Sequence, residues 1–161
     1  MDQPVEWLRY EFINQTNNSG TIALLWEKWM FPFTVETDLN KDQLAIFRNE
    51  LTGDKGFDWK SWAQAAEWCA EHNTNLQEGL QWADYAISGQ YTGEKNFRIL
   101  SDKARILNMM GKTAEADALA KAANTYGNMN DIHVYALQLM RAKKNKEAAA
   151  LFKVNYKKFP N

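Results

Sequence analysis

The sequence predicts a mainly α fold, three helical hairpins plus a leading helix, preceded by a three-stranded antiparallel β-meander. Three observations predict it. Leu100 to Ala123, LSDKARILNMMGKTAEADALAKAA, reads as a helix, a tight turn at Gly111-Lys112 and a second helix opening at Thr113. Its small residues recur where two antiparallel helices must touch. Looser copies flank it: Glu115-Ala116 and Glu147-Ala148 lie 32 residues apart, and Glu78-Gly79 lies 37 before the first. A period of that length marks stacked helix–turn–helix units. Before Asp38 the apolar residues instead alternate, as on a pleated surface.

A chain of 161 residues with 45% apolar content can bury one ordinary core. No stretch approaches 18 consecutive apolar residues, and MDQPVEW lacks a basic-then-apolar signal pattern. The expectation is a soluble chain without a membrane span or targeting segment. The single cysteine, Cys69, excludes an internal disulfide and a Cys-rich metal site. Among Ala65, Ala66 and Ala70 it reads as a small buried hydrophobe. Net charge is −1, but residues 131–161 carry 7 Lys/Arg against 2 Asp/Glu, and residues 1–130 carry 12 against 18. Most of the late lysines lie on the polar side of an apolar stripe and complement a helix C-terminus, which disfavours a nucleic-acid surface.

The first strand is VEWLRYEFI, with Leu8, Tyr10 and Phe12 on one side and Val5, Trp7 and Ile13 on the other. Asn17-Asn18-Ser19-Gly20 is a turn. TIALLWEKW gives a second strand and MFPFTVE a third, after a bend near Glu27-Lys28. Pro32 has no N–H to donate to a ladder, so the third strand should be an edge or start irregularly there. Trp7, Trp26, Trp29, Phe31 and Phe33 make the meander aromatic-rich on both faces. Three strands need a packed face, so they are expected to belong to a larger sheet or to pair with a second copy.

Leu44, Phe47 and Leu51 give a helix ending at Thr52-Gly53, and GDKGFD is a loop. Trp59, Trp62, Ala63, Ala66 and Ala70 face the core from the next helix. Asn75 with Glu78 reads as a capping box opening LQEGLQWADYAI, closed by Gly89. Phe97, Leu100, Ala104 and Leu107 make the next apolar face, stopped by Gly111 as a C-terminal cap. Thr113 caps EADALAKAANTY, which Gly127 ends. Ile132, Tyr135, Ala136 and Leu139 carry the following helix, and Asn145 opens KEAAALFKVNYKKF, stopped by Pro160. The domains are therefore residues 1–37, the meander, and 38–161, the helical repeats.

Residues 57–160 resemble the tetratricopeptide repeat. The third unit matches with Ile132, Tyr135, Ala136, Leu139, Ala148, Phe152 and Pro160; the second matches with Leu100, Ala104, Leu107, Gly111, Ala116 and Ala123. The second departs at Lys103, usually apolar, and Ala120, usually aromatic; the first has Gly79 where alanine is usual. Over the whole chain, TIALLWEKWMFPF, FRNEL, GFDWKSWAQAA, LQWADYAI, GEKNFRIL and KKNKEAAALFK resemble exported bacterial proteins in which a β-rich domain of unknown function precedes helical repeats. That resemblance implies residues 1–37 are the last strands of such a domain, and an exported, periplasmic or cell-envelope location. It implies no activity.

In tetratricopeptide-like stacks the first helix of each hairpin lines a concave groove. Its positions here are Gln64, Trp68 and His72; Ser101, Arg105, Asn108 and Met109; and His133, Leu137, Met140 and Arg141. Trp, Arg and Met carry binding energy at interfaces, so the groove suits a peptide. Alternatively, Trp68 packs on the helix Leu44–Leu51 and no groove ligand exists. Neither His72 nor His133 has a second ligand at helical spacing, so no metal or cofactor is expected. Glu67 and Glu71 pair at i, i+4, which on an amphipathic helix is a solvated face unless a dry cleft encloses it. No phosphate loop, nucleophile elbow or HExxH motif occurs. Three readings follow: a non-enzymatic scaffold binding a protein or peptide through the groove or the meander, a structural and dimerisation module for a missing β domain acting through residues 1–37, and a glycan-binding or hydrolytic domain using the Trp cluster.

Overall fold

The computed structural model describes residues 5–160. Three strands, β1 (Val5–Ile13), β2 (Ser19–Glu27) and β3 (Trp29–Glu36), precede seven helices among the described residues. These are α1 (Leu39–Leu51), α2 (Trp59–His72), α3 (Leu76–Ser88), α4 (Phe97–Met109), α5 (Thr113–Tyr126), α6 (Met129–Arg141) and α7 (Asn145–Lys158), with a 3₁₀ turn at Asp54–Phe57. The layout is the mainly α one, with an N-terminal antiparallel meander. The chain divides into two compact units, one up to Ile46 and one from Phe47 onward.

In the first unit the strands run in the order β1-β2-β3, so β3 is an edge and Pro32 costs no ladder bond. Two residues, Glu27 and Lys28, separate the paired Trp26 and Trp29 at the tight turn, with Glu27 at φ 52°. That register decides the faces, because directly paired residues point the same way. Tyr10, Leu24 and Phe31 form one rung, Phe12, Ile22 and Phe33 the next. Arg9, Leu25 and Met30, then Glu11, Ala23 and Pro32, form rungs of the opposite face, where Ala23 and Leu25 are buried. The aromatics of β2 and β3 thus share one face with Tyr10 and Phe12, where both faces were expected to be aromatic-rich. Trp7 falls within the irregularity between Val5 and Arg9 and belongs to no paired rung.

The second unit is built from the hairpins α2/α3, α4/α5 and α6/α7, with α3 and α4 also in contact. Its core joins Phe97, Leu100, Ala123, Ile132, Tyr135, Leu139 and Ala148, with Phe152 and Leu151 against it. In the first hairpin the packing residues are small: Ala63, Ala65, Ala66, Cys69 and Ala70 on α2, Gly79, Ala83 and Ala86 on α3. Burial pushes the Cys69 thiol up to about 12, so it is inert packing rather than a nucleophile. Phe47 of α1 packs in T-shaped contacts with Trp68 and Trp82 at ring separations of 5.8 and 6.1 Å.

Helix ends follow local chemistry, with departures at the starts of α3, α5 and α7, where no side chain caps the helix. Asn75 sits at φ 44° and its side chain caps no backbone N–H; it donates instead to Glu78, whose carboxylate is gripped by Arg48 at 2.7 Å on both oxygens. Arg48 therefore takes the glutamate that a capping box would use. The reciprocal box lies at α6, where Asn128 accepts from the Asp131 N–H at 2.9 Å and Asp131 accepts from the Asn128 N–H at 3.1 Å. Thr113 is the first residue of α5, with Lys112 at the cap position and no side-chain cap bond.

The hairpin turns of α4/α5 and α6/α7 are the same motif 32 residues apart. Lys112 N–H bonds Leu107 C=O and Gly111 N–H bonds Asn108 C=O; Lys144 N–H bonds Leu139 C=O and Lys143 N–H bonds Met140 C=O. Both are Schellman ends, whose left-handed residue is Gly111 (φ 79°) in one and Lys143 (φ 60°) in the other. A lysine there carries the Cβ penalty that glycine avoids. Lys143→Gly should therefore stabilise the protein by about 0.5–1 kcal/mol, the left-handed penalty less the added chain entropy, read as a rise in urea midpoint. No change or a fall would show that the lysine side chain does compensating work.

Candidate functional site

The exposed aromatic face of the meander is the first candidate. Tyr10, Phe12, Trp26, Trp29, Phe31 and Phe33 are each between 53% and 67% exposed, and Trp29 stacks on Phe31 at 6.4 Å. Ile22, Leu24 and Val35 complete the face, and none of its paired residues is charged. At about 150–250 Å² per aromatic side chain, half exposed, the face offers on the order of 800 Å², beyond the ~300–600 Å² of a monomer's usual largest apolar patch. Gly20, paired with Val35, leaves a dent of about 330 Å³ lined by Phe12, Ile22 and Val35.

In the helical unit, polar groups link the first helices of the hairpins. Arg98 of α4 pairs with Glu67 of α2 at 2.6 Å, and Arg105 of α4 donates to the Ala70 carbonyl of α2 at 3.1 Å. Asp102 of α4 is fully buried and accepts from the Tyr135 hydroxyl of α6 at 2.8 Å, while its other oxygen has no partner. Burial is the main cause that lifts this carboxyl from 3.8 to about 7; Glu67 pushes the same way, and Tyr135, Arg98 and Arg105 oppose it. The same burial and the Asp102 charge drive the Tyr135 hydroxyl well above its ordinary value. Sequence inspection missed this pair. The signal was present: Asp102 stands three residues after Ile99 and four before Ile106, both buried, so it occupies an apolar stripe.

Of the groove positions read from the sequence, Ser101, Arg105 and Asn108 come together on one wall of a cleft of about 310 Å³. Ala116, Asp117 and Ala120 of α5, Leu139 of α6, and Glu147 and Leu151 of α7 line the rest. The other positions lie elsewhere. Trp68 is half-buried, stacks on His72 at 4.2 Å and meets Phe47, which is the packing alternative. His133 packs on Phe152 of its own hairpin at 5.5 Å. Gln64, Met140 and Arg141 are exposed, and Met109 and Leu137 half-buried. Trp82 is buried, and Trp62 stacks on Tyr85 at 4.8 Å while donating to the Gly56 carbonyl at 2.8 Å. Trp59 borders a separate cleft of about 390 Å³ with Glu94, Tyr126 and Asp131.

Among the described residues no group of three or more His, Cys, Asp or Glu could hold a metal ion, and no helix is long and apolar enough to cross a membrane. Comparison with protein-family models, with curated proteins and with solved structures finds no match to this chain.

Proposed function

We propose that this chain is a non-enzymatic protein-interaction scaffold, a tetratricopeptide-like stack bearing a sheet whose aromatic face is the docking surface for another polypeptide. One observation carries it: six half-exposed aromatic rings on one face of the sheet, whose paired rungs hold no charged residue. Rigid aromatics held by a ladder bind at low entropic cost, and leaving them wet is unfavourable. An exported or cell-envelope location, as the resemblance implies, belongs with this reading.

A photo-reactive phenylalanine analogue placed at Phe33 tests it in the producing cell. Irradiation is expected to give a covalent polypeptide adduct at Phe33 and none at Tyr91, which is 90% exposed but lies between α3 and α4. Equal labelling at both positions, or none at Phe33, would remove the docking surface.

A second reading has one observation in its favour. Ser101, Arg105 and Asn108 converge on a cleft that Ala120 leaves open, where the repeat pattern usually carries an aromatic. That cleft suits one apolar side chain of a bound peptide. The glycan reading draws less support, since Trp82 and Trp62 are engaged in packing and neither Glu67 nor Glu71 lines the cleft beside Trp59.

A further inference from the structure

Resting on the docking reading, we propose that the occupant of the aromatic face is the same face of a second copy of this chain, the two meanders closing into a two-layer sandwich. Three features of the face select that occupant. Its area is the first. About 800 Å² from each copy makes a total near 1,600 Å², the size of a stable specific interface.

The second is charge. The paired rungs hold Tyr10, Leu24 and Phe31, and Phe12, Ile22 and Phe33, with Trp26 and Trp29 beyond them. A two-fold axis apposes a surface to itself, so any charge on it would meet its own sign. The paired rungs of this face have none to meet, and equally offer nothing to steer a charged partner.

The third is shape. The face is bulky at the Trp26–Trp29 end and hollow at the Gly20–Val35 end, where a Cβ added to Gly20 would meet nothing within 4 Å. Sheets pack face to face about 10 Å apart with side chains interdigitating. A two-fold axis lying between the sheets and across the strands exchanges the two ends. The tryptophans of each copy then fill the dent of the other, which is large against small at both ends. An axis along the strands would set Trp against Trp and hollow against hollow. The crossed arrangement is the one the face fits.

The test uses the full chain in sedimentation and light scattering over about 1–100 μM, the range where a standard interface without exceptional anchors associates. The expected species has twice the 18.6 kDa chain mass. Phe31→Lys, which buries a charge at the centre, and Gly20→Trp, which fills the dent from its own side, should each weaken association by on the order of thirtyfold or more, the ratio for losing a central anchor. Tyr91→Lys should leave it unchanged. Gly20 has open space and no left-handed φ, so Gly20→Trp keeps the sheet and remains informative if Phe31→Lys unfolds it. A wild-type monomer at 100 μM, or a dimer that survives both folded variants, overturns the proposal. The Phe33 adduct separates the two readings. A monomer whose adduct contains a different polypeptide removes the second copy and keeps the docking surface; a monomer with no adduct removes both.

Discussion

Asp102→Asn is expected to make the helical unit more stable at pH 8 than the parent and to flatten its pH dependence between pH 4 and 7. The carboxyl is fully buried, with its folded-state value lifted to about 7. A folded value above the unfolded one means that the native state holds the extra proton between pH 3.8 and 7. The stability this confers is fully present below the unfolded value and is lost as pH rises through 7. The full span corresponds to about 4 kcal/mol by linkage at 1.4 kcal/mol per unit, with the opposing pull of Tyr135, Arg98 and Arg105 already contained in the folded value. Asparagine keeps the acceptor for the Tyr135 hydroxyl and carries no charge to desolvate. Urea unfolding at pH 4.5, 6 and 8 reads it out; parallel curves for parent and variant would show that Asp102 does not titrate in this window. Tyr135→Phe should act oppositely. It removes the hydroxyl that donates to the carboxylate, steepening the loss toward pH 8. Glu78, held below its usual value mainly by the hydrogen bond from Arg48, contributes the reverse dependence, lost as pH falls through the acid range, and both variants share it.

The elements of this fold were legible because each rests on a local signal. Period-two apolar residues marked the strands, Gly89, Gly111 and Gly127 the helix ends, and Pro32 the edge. What was not legible depended on partners distant in sequence. The faces of the meander turn on whether two residues or three separate Trp26 from its partner across the turn; a shift of one would have put Phe31 and Phe33 on the face away from Trp26 and Tyr10. Asn75 has the composition of a cap, but Arg48, 30 residues before Glu78, removes the second half of the box. Asp102 was invisible as a site because a lone carboxylate on a helix is usually solvated, and only α6 supplies the tyrosine that allows its burial. The groove positions were projected from a regular stack. Three of them line the one cleft because they lie one helical turn or so apart on α4, while Trp68 follows Phe47 and His133 follows Phe152, neighbours that a projection of single helices does not contain.

Gly79 is the residue at which a departure from the repeat pattern becomes a requirement, and Gly79→Ala is expected to destabilise the protein although alanine is the better helix former. A Cβ built at Gly79 would stand 2.7 Å from Cys69 Cβ and 3.3 Å from its sulfur, with the Ala66 carbonyl at 3.7 Å. The first contact is closer than carbon atoms approach, and Cys69 Cβ is fixed to the α2 backbone, so no rotamer change relieves it. The helices must part. Overpacking of this kind costs about 1–3 kcal/mol, against a helix-propensity gain of about 1 kcal/mol for replacing glycine, and most of the area that parts lies under buried alanines with no volume to spare. A net loss of about 1–2 kcal/mol follows, equivalent to a fall in Tm of roughly 2–8 °C for a chain of this size. Gly53→Ala is the control, since its Cβ would meet only the Glu50 carbonyl at 3.7 Å. Cys69→Ala should not rescue Gly79→Ala, because the clash is with Cβ, whereas Cys69→Gly should, and the double-mutant cycle should show coupling between the two sites. Rescue by Cys69→Ala would place the strain on the sulfur instead. A Gly79→Ala protein as stable as the parent would mean that α2 and α3 can separate freely, and that their small residues do not fix the spacing of the first hairpin.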